Sequence, residues 1–254
     1  MSSTDRSGFA CMEIGGVRPR LGRKWESMTV DTALLEQLAA FSTPDVLNGL
    51  KRLGLPPEKM ESMDRLAIGC TTPALGVRVG FAATRKVATR RTGGPAGASP
   101  GGVAGGLLAV PAPRILVVEN VGDWRGPVCI WGELGAAINL ALECRGGITN
   151  GPVRDVAEMA EAGFQTFAGG VGVGGGYVDT LEVGTPVMVG GIAVHPGDLI
   201  HADRHGVVKV PLDLASGLPD AIRAHAAYEG GILEACRSPD FTIEKLIEAM
   251  KRKD

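Results

Sequence analysis

The chain has 254 residues, 44% of them hydrophobic and 21% charged, with 26 basic against 28 acidic residues and a net charge of −2. It is long enough for one well-filled core or at most two small domains, and its scattered basic residues and 4% aromatic content disfavour nucleic-acid binding. No apolar run reaches the roughly 20 residues of a membrane span, and the first residues do not show the pattern of a signal peptide. Five scattered cysteines predict free thiols in a cytoplasmic protein.

The first part of the chain predicts an irregular arm followed by helices. Residues 1–28 show no clear periodicity, so we expect a domain that covers residues 29–254. A helix is predicted over residues 31–40. A second helix is predicted to start at Ser42, where a hydroxyl cap precedes Pro44 in the first turn, and to stop at Gly54. Alternation over residues 74–88 is typical of a strand.

Residues 92–106 are rich in glycine and proline. This composition predicts an irregular surface loop without regular structure, because both residue types interrupt helices and strands. A mobile lid that closes over a binding site is the alternative interpretation.

Strands and helices alternate in the middle of the chain. Strands are predicted at residues 114–119, 128–131, 148–149 and 164–168, with helices at 135–145 and 153–162 and a turn at 150–152. Residues 186–211 predict an all-strand unit, which two helices at residues 220–236 and 242–253 follow. This order favours a layered α/β sandwich over a simple doubly wound sheet.

Charged residues that could carry chemistry follow predicted strands at two places. Glu133 stands at a helix start, and Arg154 and Asp155 stand at the next helix start. The planar guanidinium of Arg154 suits a carboxylate and a neighbouring keto oxygen, and Asp155 suits Mg²⁺ or Mn²⁺. Glu158 follows Asp155 by one helical turn, so both carboxylates are predicted to share one helix face and a hydrated ion. An ion-pair network on the surface is the alternative.

An ordered set of motifs resembles the RraA-like family, which includes the 4-hydroxy-4-methyl-2-oxoglutarate and 4-carboxy-4-hydroxy-2-oxoadipate aldolases. The matching motifs are Trp-Gly-Glu-Leu at 131–134, Gly-Gly at 146–147, Asn-Gly-Pro-Val-Arg-Asp at 150–155, Gly-Gly at 190–191, Pro-Gly-Asp at 196–198, His-Ala-Asp-Arg-His-Gly-Val-Val at 201–208 and Pro211. Weaker similarity extends upstream to residues 42–46 and 114–119.

The resemblance implies an α-β-β-α sandwich in a single domain, assembled as a homotrimer or homohexamer with active sites between subunits. It implies a metal-dependent lyase that releases pyruvate from a small 2-oxo acid and also decarboxylates oxaloacetate. In the aldolases the matching arginine binds pyruvate and the matching aspartate binds the metal.

The resemblance also assigns roles to further residues. An acid after the Arg-Asp pair, here Glu158, distinguishes the aldolases from the regulators. The backbone amides of Leu134 and Gly135 would hold the substrate carboxylate. The chemistry itself, independently of the resemblance, requires a general base for the C4 hydroxyl proton, for which a metal-bound or arginine-held water near Glu133 is the candidate. An acid on a neighbouring subunit's C-terminal helix contributes, for which we choose Glu229.

This sequence departs from the family pattern at Glu133, where the aldolases have Asp, and at Asn150, where Asp is common. Both departures bear on the substrate more than on the reaction class. The alternative function is that of a regulator like RraA, which binds and inhibits ribonuclease E without catalysis.

Two other patterns are set aside. The glycines at residues 170–175 satisfy a dinucleotide or S-adenosylmethionine motif, but no helical period follows them, so they indicate a glycine-rich connection. His201, Asp203 and His205 alternate as strand ligands of a transition metal would. A turn at residues 204–206 breaks that common face, so Asp203 is predicted to accept hydrogen bonds within the turn.

Overall fold

The computed structural model describes residues 30–92, 98–123 and 126–251. The predicted arm, residues 1–28, lies outside these residues. The helices are α1 (Thr32–Leu38), α2 (Thr43–Arg52), α3 (Pro100–Leu108), α4 (Glu133–Ala141), α5 (Val156–Glu161), α6 (Leu218–Arg237) and α7 (Ile243–Lys251). The strands are β1 (Glu61–Ser62), β2 (Gly69–Cys70), β3 (Arg78–Arg90), β4 (Arg114–Asn120), β5 (Cys144–Val153), β6 (Gln165–Val171), β7 (Tyr177–Val183), β8 (Val187–Val189), β9 (Ile192–Val194), β10 (Leu199–Asp203) and β11 (Gly206–Val210).

The main sheet has the order β1-β11-β10-β3-β4-β5-β6-β2, and β7 pairs with β3 off this path. Strands β3, β4, β5 and β6 run parallel, whereas the flanking pairs are antiparallel. Ligand sites in open α/β sheets lie beyond the carboxyl ends of parallel strands. The ends of β4, β5 and β6 therefore form the edge at which a site is expected.

The two faces of the sheet carry separate cores. On β4, Leu116 and Val118 face the helical layer, while Ile115 and Val117 pack with the β8–β9 hairpin on the opposite face. All four side chains are at most 1% exposed, as the alternation of a strand covered on both faces requires. The predicted layered α/β fold is confirmed, with a helical layer, the main sheet and a second, two-stranded sheet.

Hydroxyl caps start two of the helices. The Ser42 side chain accepts from the Asp45 N–H and Pro44 lies in the first turn, as predicted. The same device starts α3, where Ser99 Oγ accepts from the Gly102 N–H and Pro100 is the first helical residue. The prediction of an irregular loop over residues 92–106 is therefore wrong for α3, because the Ser-Pro start outweighs the glycines; residues 93–97 lie outside the described residues.

Other local predictions need correction. Residues 128–131 are buried but are not a strand, because their backbone hydrogen bonds go to different segments: Cys129 N–H donates to the Gly174 carbonyl (3.1 Å) and Ile130 N–H to the Pro152 carbonyl (2.8 Å). The predicted turn at 150–152 lies within β5, whose pairing with β6 shifts register there. Strand β7 was not predicted. None of the described helices combines the length and the apolar character that crossing a membrane requires.

Candidate active site

The central feature of the candidate site is the sharp turn that follows β5. The Arg154 N–H donates to the Trp131 carbonyl (3.2 Å), which ties the end of β5 to the segment before α4. Asp155 then adopts a left-handed conformation (φ 54°, ψ 44°), which L-residues other than glycine rarely adopt. This reversal starts α5 and directs the Asp155 side chain towards α4.

The Asp155 carboxylate joins two elements of the site. Its Oδ2 accepts a hydrogen bond from the Glu133 N–H (3.1 Å) and lies 3.4 Å from Arg154 Nε. The side chains of Arg154 and Asp155 are 47% and 37% exposed, so a ligand can reach both. Gly132 makes this approach possible, because a Cβ there would overlap Asp155 Oδ2.

The first turn of α4 supplies backbone donors to the same place. The Ala136 N–H makes the first intrahelical bond, to the Gly132 carbonyl (2.9 Å), and Gly132 at the N-cap position has no side chain that could cap the helix. The N–H groups of Leu134 and Gly135 precede that bond and are free to bind an anion. The Glu133 side chain is exposed and stands at the same helix end.

Arg154 is bordered on its other side by the glycine-rich connection between β6 and β7. A Cβ on Gly175 would lie 3.7 Å from Arg154 Nη1. Beneath the connection, burial raises the pKa of the Cys129 thiol, and the positive charge of Arg154 opposes that shift.

An open cavity of about 520 Å³ lies along the connection and is lined by Pro152, Val171 and Val173 among others. The glycines lead into β7 rather than a helix, which confirms the prediction of a connection.

Two asparagines lie behind the site, and of these only Asn150 was singled out from the sequence, as a departure from the family pattern. Asn150 Oδ1 accepts from the Asn120 N–H (2.7 Å), and Asn150 Nδ2 donates to the Asn120 carbonyl (3.0 Å). Asn120 also reaches β3, where its Nδ2 donates to Thr89 Oγ1 (2.9 Å). The pair therefore fixes the ends of β3, β4 and β5 relative to one another. Asn120 is the last residue of β4 and Asn150 lies within β5, and no local signal in the sequence links the two.

The structure does not bring all predicted residues together. Glu158 is exposed in the first turn of α5, but Asp155 precedes that helix in a left-handed conformation. The premise that both lie on one helix face is therefore wrong, while the role of Glu158 stays a prediction. Glu229 is on α6, which packs mainly against α2 and α7, and it pairs with His225 Nε2 (3.1 Å). Its predicted role requires a neighbouring subunit.

The donor set around Asp155 fits one kind of metal better than another. Among the described residues, no three His, Cys, Asp or Glu side chains form a group that could hold a metal ion. Structural zinc uses four protein ligands, whereas Mg²⁺ keeps several waters and needs one or two carboxylates. The half-exposed Asp155 therefore fits a hydrated Mg²⁺ or Mn²⁺.

His201 and Asp203 form a structural network elsewhere, as predicted. Asp203 Oδ1 accepts from the His205 N–H (2.8 Å), and Asp203 Oδ2 accepts from the Thr43 N–H (3.0 Å) at the start of α2. The ring of His201 is fully buried, with Nε2 3.1 Å from the Leu38 carbonyl and Nδ1 3.1 Å from Thr43 Oγ1. The Leu38 carbonyl can only accept, so Nε2 donates to it, and burial lowers the pKa of His201.

Similarity to curated proteins is limited to part of the chain. An uncharacterized protein of Methanocaldococcus jannaschii is 32% identical over 111 residues, 43% of this chain and 51% of that protein. A putative 4-hydroxy-4-methyl-2-oxoglutarate aldolase of Halalkalibacterium halodurans is 26% identical over 98 residues, 38% of this chain and 46% of that protein. Protein DlpA of Legionella pneumophila is 29% identical over 106 residues, 41% of this chain and 17% of that protein. The matches thus span about half or less of the relatives' lengths.

Solved structures share the fold. A protein from Pseudomonas syringae pv. tomato has a TM-score of 0.68 at 22% identity, over 92% of this chain and all of that one. Streptomyces coelicolor RraAS2, described as an unusual member of the RNase ES inhibitor RraA protein family, has a TM-score of 0.60 at 24% identity, over 79% of this chain and 96% of that one.

A family model described as "RraA-like: Aldolase/RraA" matches residues 43–209. The match spans the sheet from α2 to β11, including α4, the Arg154–Asp155 turn and α5. The family covers both aldolases and ribonuclease inhibitors. The chain belongs to the RraA-like family.

Proposed function

We propose that the protein is a divalent-metal-dependent lyase that cleaves a C–C bond of a small 2-oxo acid and releases pyruvate. The observation that supports this most directly is the placement of Arg154 and Asp155. A guanidinium and a carboxylate, 3.4 Å apart and both partly exposed, stand at the open N-terminus of α4. The guanidinium and the N–H groups of the helix start offer positive charge and hydrogen-bond donors to one end of a substrate. The carboxylate offers a hard oxygen ligand to a metal.

Each residue has a distinct task in this reaction. Arg154 binds the substrate carboxylate and keto oxygen through its planar set of donors, and the N–H groups of Leu134 and Gly135 bind the same carboxylate. A water held near Glu133 takes the proton from the C4 hydroxyl. The C3–C4 bond then breaks, its electron pair forms the pyruvate enolate, and C3 is protonated. Arg154 stabilises the enolate oxygen where its charge develops.

Asp155, together with Glu158, would hold the Mg²⁺ or Mn²⁺ ion. The bound ion supplies additional positive charge at the keto oxygen. Decarboxylation of oxaloacetate passes through the same enolate, so the same residues serve that side reaction. The protein is expected to work as a homotrimer or homohexamer in which Glu229 reaches the site of a neighbouring subunit.

The proposal is tested by measuring pyruvate release from 4-hydroxy-4-methyl-2-oxoglutarate and from oxaloacetate, with Mg²⁺ or with EDTA. Arg154→Ala is the test variant, and Arg145→Ala at the opposite end of β5 is the matched control. We expect metal-dependent release that Arg154→Ala reduces at least ~100-fold and Arg145→Ala leaves intact. Release that persists in EDTA, or equally in both variants, contradicts the proposal. No release at all would favour the regulator, for which binding to ribonuclease E is the measurement.

A further inference from the structure

The open cavity beside Arg154 is apolar and plays no part in the function proposed so far. Four glycines, two prolines and two valines line it, so none of its described lining residues is ionisable. Pro152, in the lining, lies two residues before Arg154. Gly174, also in the lining, precedes Gly175, whose Cβ position is 3.7 Å from Arg154 Nη1. The cavity and the guanidinium therefore share a border.

The alternating sequence at residues 170–174, Gly-Val-Gly-Val-Gly, explains the character of the cavity. Two of its glycines lie against the protein: a Cβ on Gly174 would overlap the Pro127 carbonyl, and one on Gly172 would lie 3.3 Å from Cys129 Sγ. The valines between them point outward because extended chain alternates its faces. Val171 is 65% exposed and Val173 is 93% exposed. The connection thus offers hydrocarbon surface next to the positive charge.

We propose that this cavity binds the hydrocarbon end of the substrate. The protein then cleaves 4-hydroxy-2-oxo acids whose C4 carries an alkyl or aryl group in place of a second carboxylate. This inference rests on the proposed function, since Arg154 must hold the 2-oxo acid end. Cleavage of the C3–C4 bond yields pyruvate and an aldehyde, with the C4 hydroxyl proton lost to the base and one proton gained at C3.

The lining decides between the two kinds of substrate. A second carboxylate that entered the cavity would gain no charged partner from the described lining residues, whereas an alkyl chain would contact Val171 and Val173. Each methylene that leaves water for contact with Val171 and Val173 instead strengthens binding about fourfold. Affinity should therefore increase with the length of an uncharged chain.

The first test measures binding without turnover, by calorimetry with Mg²⁺ present. The ligands are pyruvate, 2-oxobutanoate, 2-oxopentanoate and 2-oxohexanoate. The variants are Val173→Asp and, as a control, Leu66→Asp, which changes a side chain that is 99% exposed in a turn outside the cavity lining. We expect affinity to rise about fourfold per methylene in the wild type and in Leu66→Asp. In Val173→Asp the rise with chain length should disappear. A flat series in the wild type, or an equal rise in Val173→Asp, overturns the inference.

A second test separates this inference from the lyase itself, by comparing pyruvate release from 4-hydroxy-2-oxohexanoate and from 4-hydroxy-4-methyl-2-oxoglutarate. We expect kcat/KM to favour the first at least ~10-fold and Val173→Asp to remove the preference. A preference for the dicarboxylate overturns the inference. No release from either, combined with the chain-length series in the wild type and its loss in Val173→Asp, refutes the lyase and leaves the apolar subsite supported.

Discussion

Gly132 and Asp155 approach so closely that a Cβ on the glycine would overlap Oδ2 of the carboxylate. The same oxygen accepts from the Glu133 N–H and faces Arg154. Gly132 itself has φ −140°, an extended conformation that alanine also adopts. The glycine is thus required by the position of the carboxylate and not by the backbone.

Gly132→Ala is therefore expected to inactivate the protein without unfolding it. The methyl group displaces the Asp155 carboxylate from Glu133, and a displacement of about 1 Å can reduce a rate about 100-fold. Pyruvate release and the Tm should be measured together. Gly105→Ala is the control, since a Cβ there meets nothing within 4 Å. Unchanged activity in Gly132→Ala would show that the position of this carboxylate does not matter for the reaction.

Asn150→Asp tests the asparagine pair behind the site. Asn150 Nδ2 donates to the Asn120 carbonyl, and a carboxylate oxygen in its place would repel that carbonyl. Leaving this buried acceptor unpaired should lower the free energy of unfolding by about 1–3 kcal/mol. The loss should shrink at low pH, because a protonated carboxyl can donate again. Denaturant unfolding at pH 7 and pH 4 measures both effects.

The control for this variant is Asn48→Asp, which adds the same charge to a half-buried position of α2 where the structure shows no side-chain hydrogen bond. Its stability should change little at pH 7. An equal loss in both variants would attribute the effect to charge alone, and the pair would then have no special role in holding the strand ends.

Local signals predicted the elements on which the site stands, and distant contacts explain the errors. The start of α2 is encoded within a few residues by a capping hydroxyl followed by proline. The same signal is present at Ser99, but the glycine-rich sequence around it led to the prediction of a loop. Strand β7 could not be predicted from local sequence, because its extended conformation depends on pairing with β3, which lies roughly ninety residues earlier in the sequence. The Asn-Gly-Pro segment resembles a turn but is held in β5 by the pairing of Pro152 with Gly170 of β6 on one side and by the hydrogen bonds of the Asn150 side chain to Asn120 on the other.

The candidate site divides in the same way. The positions of Arg154 and Asp155 after a strand follow from the local pattern, so the sequence indicated them. The left-handed conformation of Asp155 and its hydrogen bond to the Glu133 N–H arise between elements 22 residues apart. They depend on how α4 and α5 pack over the sheet, which no local pattern encodes.

The buried ring of His201 predicts a pH dependence of stability. In the unfolded chain the pKa of histidine is about 6.5, whereas burial lowers the pKa of His201 in the folded protein. The unfolded state therefore binds the proton more tightly. The contribution of neutral His201 to the free energy of unfolding is fully present above about pH 6.5. It is lost as the pH decreases from there towards the folded pKa, by at most about 1.4 kcal/mol per pH unit. Urea unfolding between pH 7.5 and 5 at fixed protein concentration measures this slope.

His201→Gln should reduce the slope in that range, since the proton-binding difference disappears with the imidazole. Asp203, the carboxylate nearest to this network, has a pKa lowered by its hydrogen bonds to Thr43 and His205 against the effect of burial, so it titrates below the range. His195→Gln is the control, because the side chain of His195 is 49% exposed. If His195→Gln reduces the slope and His201→Gln does not, the pH dependence comes from His195 and the prediction for His201 is wrong.

Glu229 offers a direct test of a site shared between subunits. Within its own chain it pairs with His225 on α6, apart from the Arg154–Asp155 turn. If it acts on a neighbouring subunit, Arg154→Ala and Glu229→Gln should each be inactive alone but complement each other when co-assembled. In a cyclic assembly mixed at random, about a quarter of the interfaces combine an intact Arg154 with an intact Glu229.

Pyruvate release should thus recover to about a quarter of the wild-type rate after the two variants are dissociated, mixed and reassembled. Arg154→Ala mixed with the double variant Arg154→Ala/Glu229→Gln is the control and should stay inactive, because no subunit then supplies the guanidinium. Full activity of Glu229→Gln alone removes this residue from the site. Inactive variants that fail to complement would contradict a site shared between Arg154 of one subunit and Glu229 of its neighbour.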